Sequence, residues 1–228
     1  MSGLRRWKRR ICSVTRLTNV ALTADGSKTV YSRRFEEHYH SKFGAVNESK
    51  HVFVEAGYMA VSGGAVSVLE IGFGTGLNAL LTLQQAEKMR RCTYYETLEL
   101  YPIDNATVSE LSSDDGALQS LHVVEWEQAI EITPHFVLYK RKSDLLHCTF
   151  NRKFDVVYFD AFSPAVQPEM WTFDVFASMY AAMNIGAVLT TYCAKGDVRR
   201  TMQSAGFSVE RLKGPPAGKR EMLRAIKM

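Results

Sequence analysis

The sequence lacks the features that would set it apart from ordinary globular proteins. It has no C-x-x-C pair among its four cysteines, which argues against a zinc site, and a chain of 228 residues needs no disulfide framework. It has no run of the roughly 18 to 20 apolar residues that a helix needs to span a bilayer, so we expect no membrane partner. Its basic start is not followed by an apolar stretch, so we expect no secretory signal and a cytoplasmic location.

Basic charge is concentrated at the two ends of the chain. The formal net charge is only +4, but residues 1–16 hold six basic residues and no acid, and residues 195–228 hold nine basic and three acidic residues. The part between them holds 13 basic and 21 acidic residues. This distribution fits either a polyanionic partner such as RNA or an ordinary solvated tail and surface, and charge alone leaves both open.

The apolar pattern divides the chain into three parts. Residues 1–20 are predicted to form a mobile basic arm, residues 21–64 a small N-terminal elaboration, and residues 65–228 the main domain. Strands are predicted at 66–71, 94–100, 136–139, 154–160, 187–191, 207–212 and 222–226, and helices at 77–89, 171–183 and 197–205, with Pro102 opening a further helix. Strands alternating with helices predict a doubly wound, Rossmann-like α/β fold. We expect a mainly parallel seven-stranded sheet with a terminal antiparallel strand.

A glycine loop follows the first predicted strand of the main domain and opens a helix. Gly72, Gly74 and Gly76 are spaced as G-x-G-x-G, whereas dinucleotide-binding proteins have G-x-G-x-x-G. The carboxylate of Glu70 precedes the glycines, and a negative group there suits a cationic ligand better than a pyrophosphate. Asn78 ends the motif, and we count it with Glu70 and the glycines as a candidate cofactor-binding residue.

S-adenosylmethionine, which carries ammonium and sulfonium charges, is a ligand of this kind. Glu99 follows Gly76 by 23 residues and ends the second predicted strand, where an acid can accept hydrogen bonds from ribose hydroxyls. Asp144, just after the third strand, can accept one from an adenine amino group. These residues predict a site for a nucleoside-type cofactor. The other interpretation is a structural glycine turn with unrelated acids.

Asp160 opens the segment D-A-F-S-P at the carboxyl end of the fourth predicted strand. A carboxylate there can hold an amine by a charge-assisted hydrogen bond. Aspartates ordinarily have a pKa of about 3.9 and are poor general bases, so the expected catalytic role is to orient a neutral amine and stabilise the cation that forms. The other interpretation is a helix N-cap. Phe162, Trp171 and Tyr192 are candidates for stacking a flipped base, although single aromatics are more often core residues.

Five segments give the chain a resemblance to a known family. They are residues 72–78, 160–164, 168–171, 198–200 and 218–222, and D-A-F-S-P, P-E-M-W and K-R-E-M-L in this order are specific. Over roughly residues 17–227 the sequence resembles the tRNA 5-methylaminomethyl-2-thiouridine methyltransferases, that is, the methyltransferase domain of MnmC and its stand-alone form, MnmD. The resemblance implies methyl transfer from S-adenosylmethionine to the 5-aminomethyl amine of the wobble uridine in the tRNA anticodon loop. The product would be 5-methylaminomethyl-2-thiouridine.

The resemblance also implies roles for single residues. Glu70 and the three glycines would hold the methionine part of the cofactor, Glu99 the ribose and Asp144 the adenine. Asp160 would face the substrate amine.

The C-terminal basic loop matches a family segment near the tRNA entrance. Lys219 and Arg220 would meet tRNA phosphates, whereas without the resemblance they fit a plain solvated turn. Two-domain family members carry a flavin oxidase domain after this one. Because the sequence ends at Met228, we expect no flavin, and the lack of a C-x-x-C pair predicts no metal cofactor.

Three other functions compete with this interpretation. An aminopropyltransferase such as a spermidine synthase would need a second carboxylate close to Asp160 to grip a diamine. A nicotinamide-dependent oxidoreductase is disfavoured by the glycine spacing. A non-catalytic RNA-binding module on the same fold is disfavoured by the presence of Glu70, Glu99 and Asp160 together.

Overall fold

The computed structural model describes residues 18–216 and 220–228. Most of the predicted basic arm therefore lies outside the described residues, as do Ala217, Gly218 and Lys219. Strand β1 begins at Thr18, so residues 18–20 of the predicted arm belong to the first strand. Within the described ranges, no helix is long and apolar enough to cross a bilayer.

The N-terminal elaboration consists of a small antiparallel sheet and a helical segment. Its strands are β1 (Thr18–Leu22), β2 (Lys28–Ser32) and β3 (Glu37–His38), in that order. Helix α1 (Ala45–Ser49) continues into a π-helical turn (Lys50–Glu55) and is followed by a 3-10 turn (Tyr58–Ala60). Val30, Phe53 and Tyr58 are buried against the main sheet, so the elaboration shares the core of the main domain.

Eight strands form the main sheet, in the order β10-β11-β9-β8-β4-β5-β7-β6. They are β4 (Ala65–Ile71), β5 (Cys92–Leu98), β6 (Ala129–Thr133), β7 (Phe136–Arg141), β8 (Phe154–Phe159), β9 (Met183–Thr191), β10 (Phe207–Lys213) and β11 (Glu221–Lys227). The five strands from β9 to β7 pair in parallel, and β10, β11 and β6 pair antiparallel. This confirms the predicted doubly wound α/β fold. The eighth strand, β6, was not predicted.

Helices cover both faces of the main sheet. They are α2 (Leu77–Met89), α3 (Asn105–Leu111), α4 (Gly116–Val123), α5 (Phe173–Ala182) and α6 (Gly196–Ser204). Helices α2, α3 and α4 pack with the N-terminal elaboration on one face, and α5 and α6 pack on the other. Two 3-10 turns, Leu145–His147 and Pro168–Trp171, lie in the loops after β7 and β8.

Several predicted boundaries differ from the structure, and three of them lie in or beside the loops at the carboxyl ends of the strands. Helix α3 begins at Asn105 and not at Pro102, because Asp104 caps it and accepts a hydrogen bond from the Thr107 N–H at 2.9 Å. Trp171 lies in a 3-10 turn, and α5 starts after the Thr172 N-cap. Strand β5 ends at Leu98, which places Glu99 in the loop beyond it.

Candidate active site

The loops that follow β8, β4, β5 and β7 meet at one edge of the sheet. Parallel neighbours end at the same edge, and backbone hydrogen bonds continue past the strand ends. The Asp160 N–H donates to Ile71 O at 3.1 Å, and the Gly72 N–H donates to Leu98 O at 2.9 Å. The Glu99 N–H donates to Arg141 O at 2.9 Å. The structure therefore brings the glycine loop, Glu99, Asp144 and Asp160 together, as the carboxyl-end rule predicts.

The glycine loop takes a path that only glycine follows easily. Gly72, Gly74 and Gly76 have φ of 93°, 50° and 76°, in the left-handed region. A Cβ on Gly72 would lie 3.0 Å from Asp160 O, and one on Gly74 would lie 2.7 Å from a ring carbon of Tyr39. The backbone must therefore pass very close to its neighbours before α2 begins at Leu77.

A cleft lies beside this loop, and its lining suits the chemistry of a nucleoside. Apolar side chains and polar groups line it together: Ile71, Leu98, Leu100, Leu145, Met170, Glu99, Ser143, Asp144 and Gln167. Apolar walls suit an adenine ring, and the carboxylates are acceptors for hydroxyl and amino groups. The residues present therefore fit S-adenosylmethionine.

Glu99 is the first of the two carboxylates that line this cleft. Its Oε2 accepts a hydrogen bond from the Gly74 N–H at 3.0 Å, and its Oε1 accepts one from the Tyr101 N–H at 2.8 Å. Burial raises the pKa of Glu99, and these backbone donors oppose the shift. Each carboxylate oxygen can accept a second hydrogen bond, so Glu99 is placed to hold two ribose hydroxyls.

Asp144 is half-buried in the same cleft. Its Oδ1 accepts a hydrogen bond from the Leu146 N–H at 3.0 Å and caps the 3-10 turn that contains Leu145. Its place beyond the end of β7, two strands from β4, fits contact with the adenine end of the ligand.

Two of the predicted cofactor residues lie behind the glycine loop. Glu70 is fully buried on the α2 side of β4, beside Tyr95 and Thr97, and burial raises its pKa to about 8. Asn78 is also buried, in the first turn of α2, and its Nδ2 donates to Asp160 Oδ2 at 2.8 Å. The structure therefore brings Asn78 to Asp160, which the sequence did not indicate.

The loop after β8 carries the predicted aromatic residues. The Phe162 ring lies 4.4 Å from the Phe35 ring and 5.1 Å from the Tyr39 ring, measured between centroids. Trp171 is only 6% exposed, and its Nε1 donates to Phe162 O at 2.9 Å. Trp171 therefore supports this loop from the core, a position that leaves its ring no face for a base. The Tyr192 hydroxyl donates to Ala161 O at 2.9 Å.

A second cleft lies on the other side of the loop after β8. The N-terminal elaboration lines it with Tyr31, Glu37, His38, Tyr39 and Glu48, and the main domain lines it with Ala161, Phe162 and Tyr192. The Ser163 hydroxyl donates to Glu37 Oε2 at 3.3 Å and links the two parts. Sequence reasoning missed these N-terminal residues. The dense run of aromatic, acidic and histidine residues from 35 to 40 was the only available signal.

A buried lysine supports the glycine loop from the side. Lys140 of β7 is fully buried, and its Nζ donates to Leu121 O at 2.9 Å and to His122 O at 2.7 Å, near the end of α4. Its Nζ also lies 4.8 Å from the Trp126 ring centroid, and burial lowers its pKa to about 8. His122 Nε2 lies 2.9 Å from Thr75 O, where the tautomer with a proton on Nε2 donates. The lysine thus links the sheet, α4 and the glycine loop.

The C-terminal basic loop reaches the same edge of the sheet. Arg220 is exposed and directly precedes β11, whose first residues pair with the end of β9. The Gly214 N–H donates to Arg220 O at 2.9 Å and closes the turn. Lys219, its predicted partner in tRNA binding, lies outside the described residues.

Comparison with known proteins gives consistent matches. Residues 120–228 match the model of a family described as S-adenosyl-L-methionine-dependent methyltransferase. The chain is 31% identical over 226 residues to the tRNA 5-methylaminomethyl-2-thiouridine biosynthesis bifunctional protein MnmC of Ectopseudomonas mendocina, covering 90% of this chain and 34% of that one. It is 29% identical to the protein of the same name from Nitrosospira multiformis, covering 86% of this chain and 35% of that one. The chain thus spans about a third of the length of these relatives.

Solved structures agree with these sequence matches. The MnmC2 structure from Aquifex aeolicus superposes with a TM-score of 0.74 at 26% identity, covering 94% of this chain and 72% of that one. The spermidine synthase of Thermotoga maritima superposes with a TM-score of 0.56 at 13% identity, covering 93% and 73%, and shares the fold alone. Residues 120–228 therefore match the model of an S-adenosyl-L-methionine-dependent methyltransferase family, and the chain is similar over most of its length to the MnmC proteins.

Proposed function

We propose that this protein transfers a methyl group from S-adenosylmethionine to the 5-aminomethyl amine of the wobble uridine in tRNA. The starting nucleoside is 5-aminomethyl-2-thiouridine, and the product is 5-methylaminomethyl-2-thiouridine. The names of the MnmC relatives, which refer to biosynthesis of that product in tRNA, support this choice of substrate.

One observation carries the proposal: the two clefts share a wall beside Asp160. Tyr39, Ala161 and Phe162 line both the cleft beside the glycine loop and the cleft lined by the N-terminal elaboration. Asp160 directly precedes this shared wall and is half-buried at the end of β8. A methyl donor in one cleft and a base in the other would therefore meet at Asp160.

Different residues bind different parts of the donor. Gly72, Gly74 and Gly76 let the backbone approach the methionine part, Glu99 holds the ribose and Asp144 faces the adenine. When bound, S-adenosylmethionine supplies an electrophilic methyl group on sulfur, and the sulfur keeps the bonding electron pair as a neutral thioether after transfer.

Asp160 orients the substrate nitrogen. Its carboxylate accepts a hydrogen bond from the neutral amine, which leaves the nitrogen lone pair directed at the methyl carbon. As the new nitrogen–carbon bond forms, the carboxylate stabilises the ammonium charge, and the product then loses one proton to solvent. Phe162 and Tyr192 form the walls of the base cleft, with Trp171 behind them.

We further propose that the surroundings of the site serve tRNA. Lys219 and Arg220 would contact phosphates of the anticodon loop, since cations at the site entrance add sequence-independent affinity. Residues 21–64 form the N-terminal elaboration together with the start of β1, and residues 65–228 form the methyltransferase domain. A tRNA substrate is consistent with action in the cytoplasm.

The test is methyl transfer to tRNA from cells that lack the modification. With labelled S-adenosylmethionine, the purified protein is expected to label 5-methylaminomethyl-2-thiouridine, identified by nucleoside analysis. Asp160→Asn is expected to lower the rate about 100-fold or more while the cofactor Kd stays within about threefold. Asp155→Asn is the matched control, because Asp155 lies in the same strand and its carboxylate accepts hydrogen bonds from the Ser67 N–H and Asn184 Nδ2 instead.

Other outcomes of this assay point to the competing functions. An aminopropyltransferase would need a second carboxylate close to Asp160, and Glu37 contacts the loop after β8. A parallel reaction therefore contains decarboxylated S-adenosylmethionine and a diamine. Transfer in that reaction, with none to tRNA, would establish an aminopropyltransferase. Cofactor binding with no transfer in either reaction would indicate a non-catalytic module.

A further inference from the structure

A cluster of buried polar atoms lies directly behind Asp160. It consists of Glu70 Oε1 and Oε2, Asn78 Oδ1, Tyr95 OH and Thr97 Oγ1, each buried and with no hydrogen-bond partner outside this group. We call these atoms the buried polar cluster. A buried polar atom without a partner costs about 1–3 kcal/mol, so these atoms have to satisfy one another.

The topology explains why these side chains face one another. Glu70 pairs with Thr97 across the parallel β4–β5 register, and Asn78 approaches from the first turn of α2. Thr97, Asn78 and Tyr95 all lie near enough to favour the charged form of Glu70. Burial outweighs them and raises the pKa of Glu70 to about 8, so at neutral pH this carboxyl group is protonated and is a hydrogen-bond donor.

The amide of Asn78 has an acceptor end and a donor end, and the donor end already has a partner. Its Nδ2 donates to Asp160 Oδ2 at 2.8 Å, so its Oδ1 faces the buried polar cluster. The protonated carboxyl group of Glu70 can donate a hydrogen bond to Asn78 Oδ1 in this orientation of the amide. A carboxylate there would instead compete with Asp160 for Nδ2.

We propose that Asn78 is a positioning residue that holds the Asp160 carboxylate, and that the carboxylic acid of Glu70 fixes the orientation of the Asn78 amide. This rests on the proposed function, in which Asp160 orients the substrate amine. In this proposal Glu70 and Asn78 position Asp160, whereas the sequence predicted that they bind the cofactor directly.

The assignment makes transfer sensitive to pH. The groups that face Glu70 are Tyr95 and Thr97 on β5, Glu99 beyond β5, Tyr158 on β8 and Asn78 on α2. As the pH rises through about 8, Glu70 loses its proton and turns from a donor into an acceptor. The Asn78 amide then turns toward Glu70, Asp160 loses the hydrogen bond from Asn78 Nδ2, and the rate of transfer falls at high pH.

The first test compares single-turnover methyl transfer with cofactor binding. Asn78→Ala is expected to lower the rate about 10- to 100-fold, because small displacements of a catalytic group have effects of this size, while the cofactor Kd measured by calorimetry stays within about threefold. Asn78→Ser keeps a short donor and is expected to recover part of the rate. Equal losses in rate and cofactor affinity would overturn the assignment and return Asn78 to cofactor binding.

A matched control separates positioning from general destabilisation. Leu81 is a buried residue of the same helix that lines a different surface with Leu77 and Gln84. Leu81→Ala is expected to lower Tm without changing the single-turnover rate at a temperature where the variant stays folded. A rate loss in Leu81→Ala as large as in Asn78→Ala would also contradict the assignment.

The second test is the pH profile of Glu70→Gln. A glutamine amide can donate to Asn78 Oδ1 but does not ionise, so the variant is expected to lose the decline in rate above pH of about 8 that the native protein shows. The same decline in both proteins would contradict the role given to Glu70.

A third readout needs no activity and so separates this inference from the proposed function. The side-chain NH₂ resonances of Asn78 are expected to shift in Asp160→Asn, and to titrate near pH 8 in the native protein but not in Glu70→Gln. If tRNA is not methylated but these shifts occur, only the proposed substrate is wrong. If tRNA is methylated and the resonances do not respond, the positioning network is wrong.

Discussion

Asp160 and Glu70 belong to neighbouring parallel strands and have different surroundings. Asp160 directly follows β8 and is half-buried at the edge of the sheet where the loops meet. In the structure Glu70 faces α2 with Val66 and Val68, and burial makes it a neutral acid.

The buried Lys140 gives a prediction at the residue scale. Lys140→Met keeps the length of the side chain but leaves the carbonyls of Leu121 and His122 without their donor. We expect the free energy of unfolding, measured by urea denaturation, to fall by about 2 kcal/mol. We also expect weaker cofactor binding, because His122 no longer holds Thr75 O in the glycine loop.

The neighbouring Lys142 provides the control for this change. Lys142 is exposed just beyond the same strand, so Lys142→Met is expected to leave both stability and cofactor affinity nearly unchanged. Indistinguishable unfolding curves for the native protein and Lys140→Met would refute the structural role of the buried lysine.

At the scale of elements, local signals predicted some boundaries and long-range packing decided the rest. Helix α2 has its predicted limits, Leu77–Met89, because Gly76 and Arg90 take left-handed conformations at its two ends. Strand β6 (Ala129–Thr133) was missed although Ile130, Glu131 and Ile132 alternate, because it is a short edge strand whose residues are exposed or half-buried. The contact between the N-terminal elaboration and the loop after β8 joins residues more than a hundred positions apart, and no local pattern encodes it.

The loop between β2 and β3 gives a prediction at the element scale. Phe35 lies in this loop, lines the cofactor cleft and packs on Phe162 with ring centroids 4.4 Å apart. Phe35→Ala is expected to weaken cofactor binding about 3- to 10-fold in calorimetry, because an aromatic pair contributes roughly 0.5–1.5 kcal/mol beyond its buried area. Tm is expected to change little, since Phe35 is only half-buried.

Phe43 is the matched control in the same elaboration. Its side chain is 68% exposed, and it lines neither cleft. Phe43→Ala should leave the cofactor Kd unchanged. If both variants bind the cofactor as the native protein does, the elaboration has no part in the cofactor cleft.

At the scale of the whole molecule, the strand order determines where the site lies. The order β9-β8-β4-β5-β7 places the loops that carry Asp160, the glycines, Glu99 and Asp144 side by side. Alternation of strands and helices was enough to predict this arrangement, because right-handed βαβ connections leave few topologies open. The second cleft was not predictable, because it forms only where the N-terminal elaboration packs against the finished sheet.

The most direct measurement is a crystal structure with the demethylated donor, S-adenosylhomocysteine, bound. We expect the ribose hydroxyls within hydrogen-bond distance of Glu99, the adenine beside Asp144 and Leu145, and the sulfur on the side of Asp160. A ligand bound outside this cleft, or with its sulfur turned away from Asp160, would contradict the account.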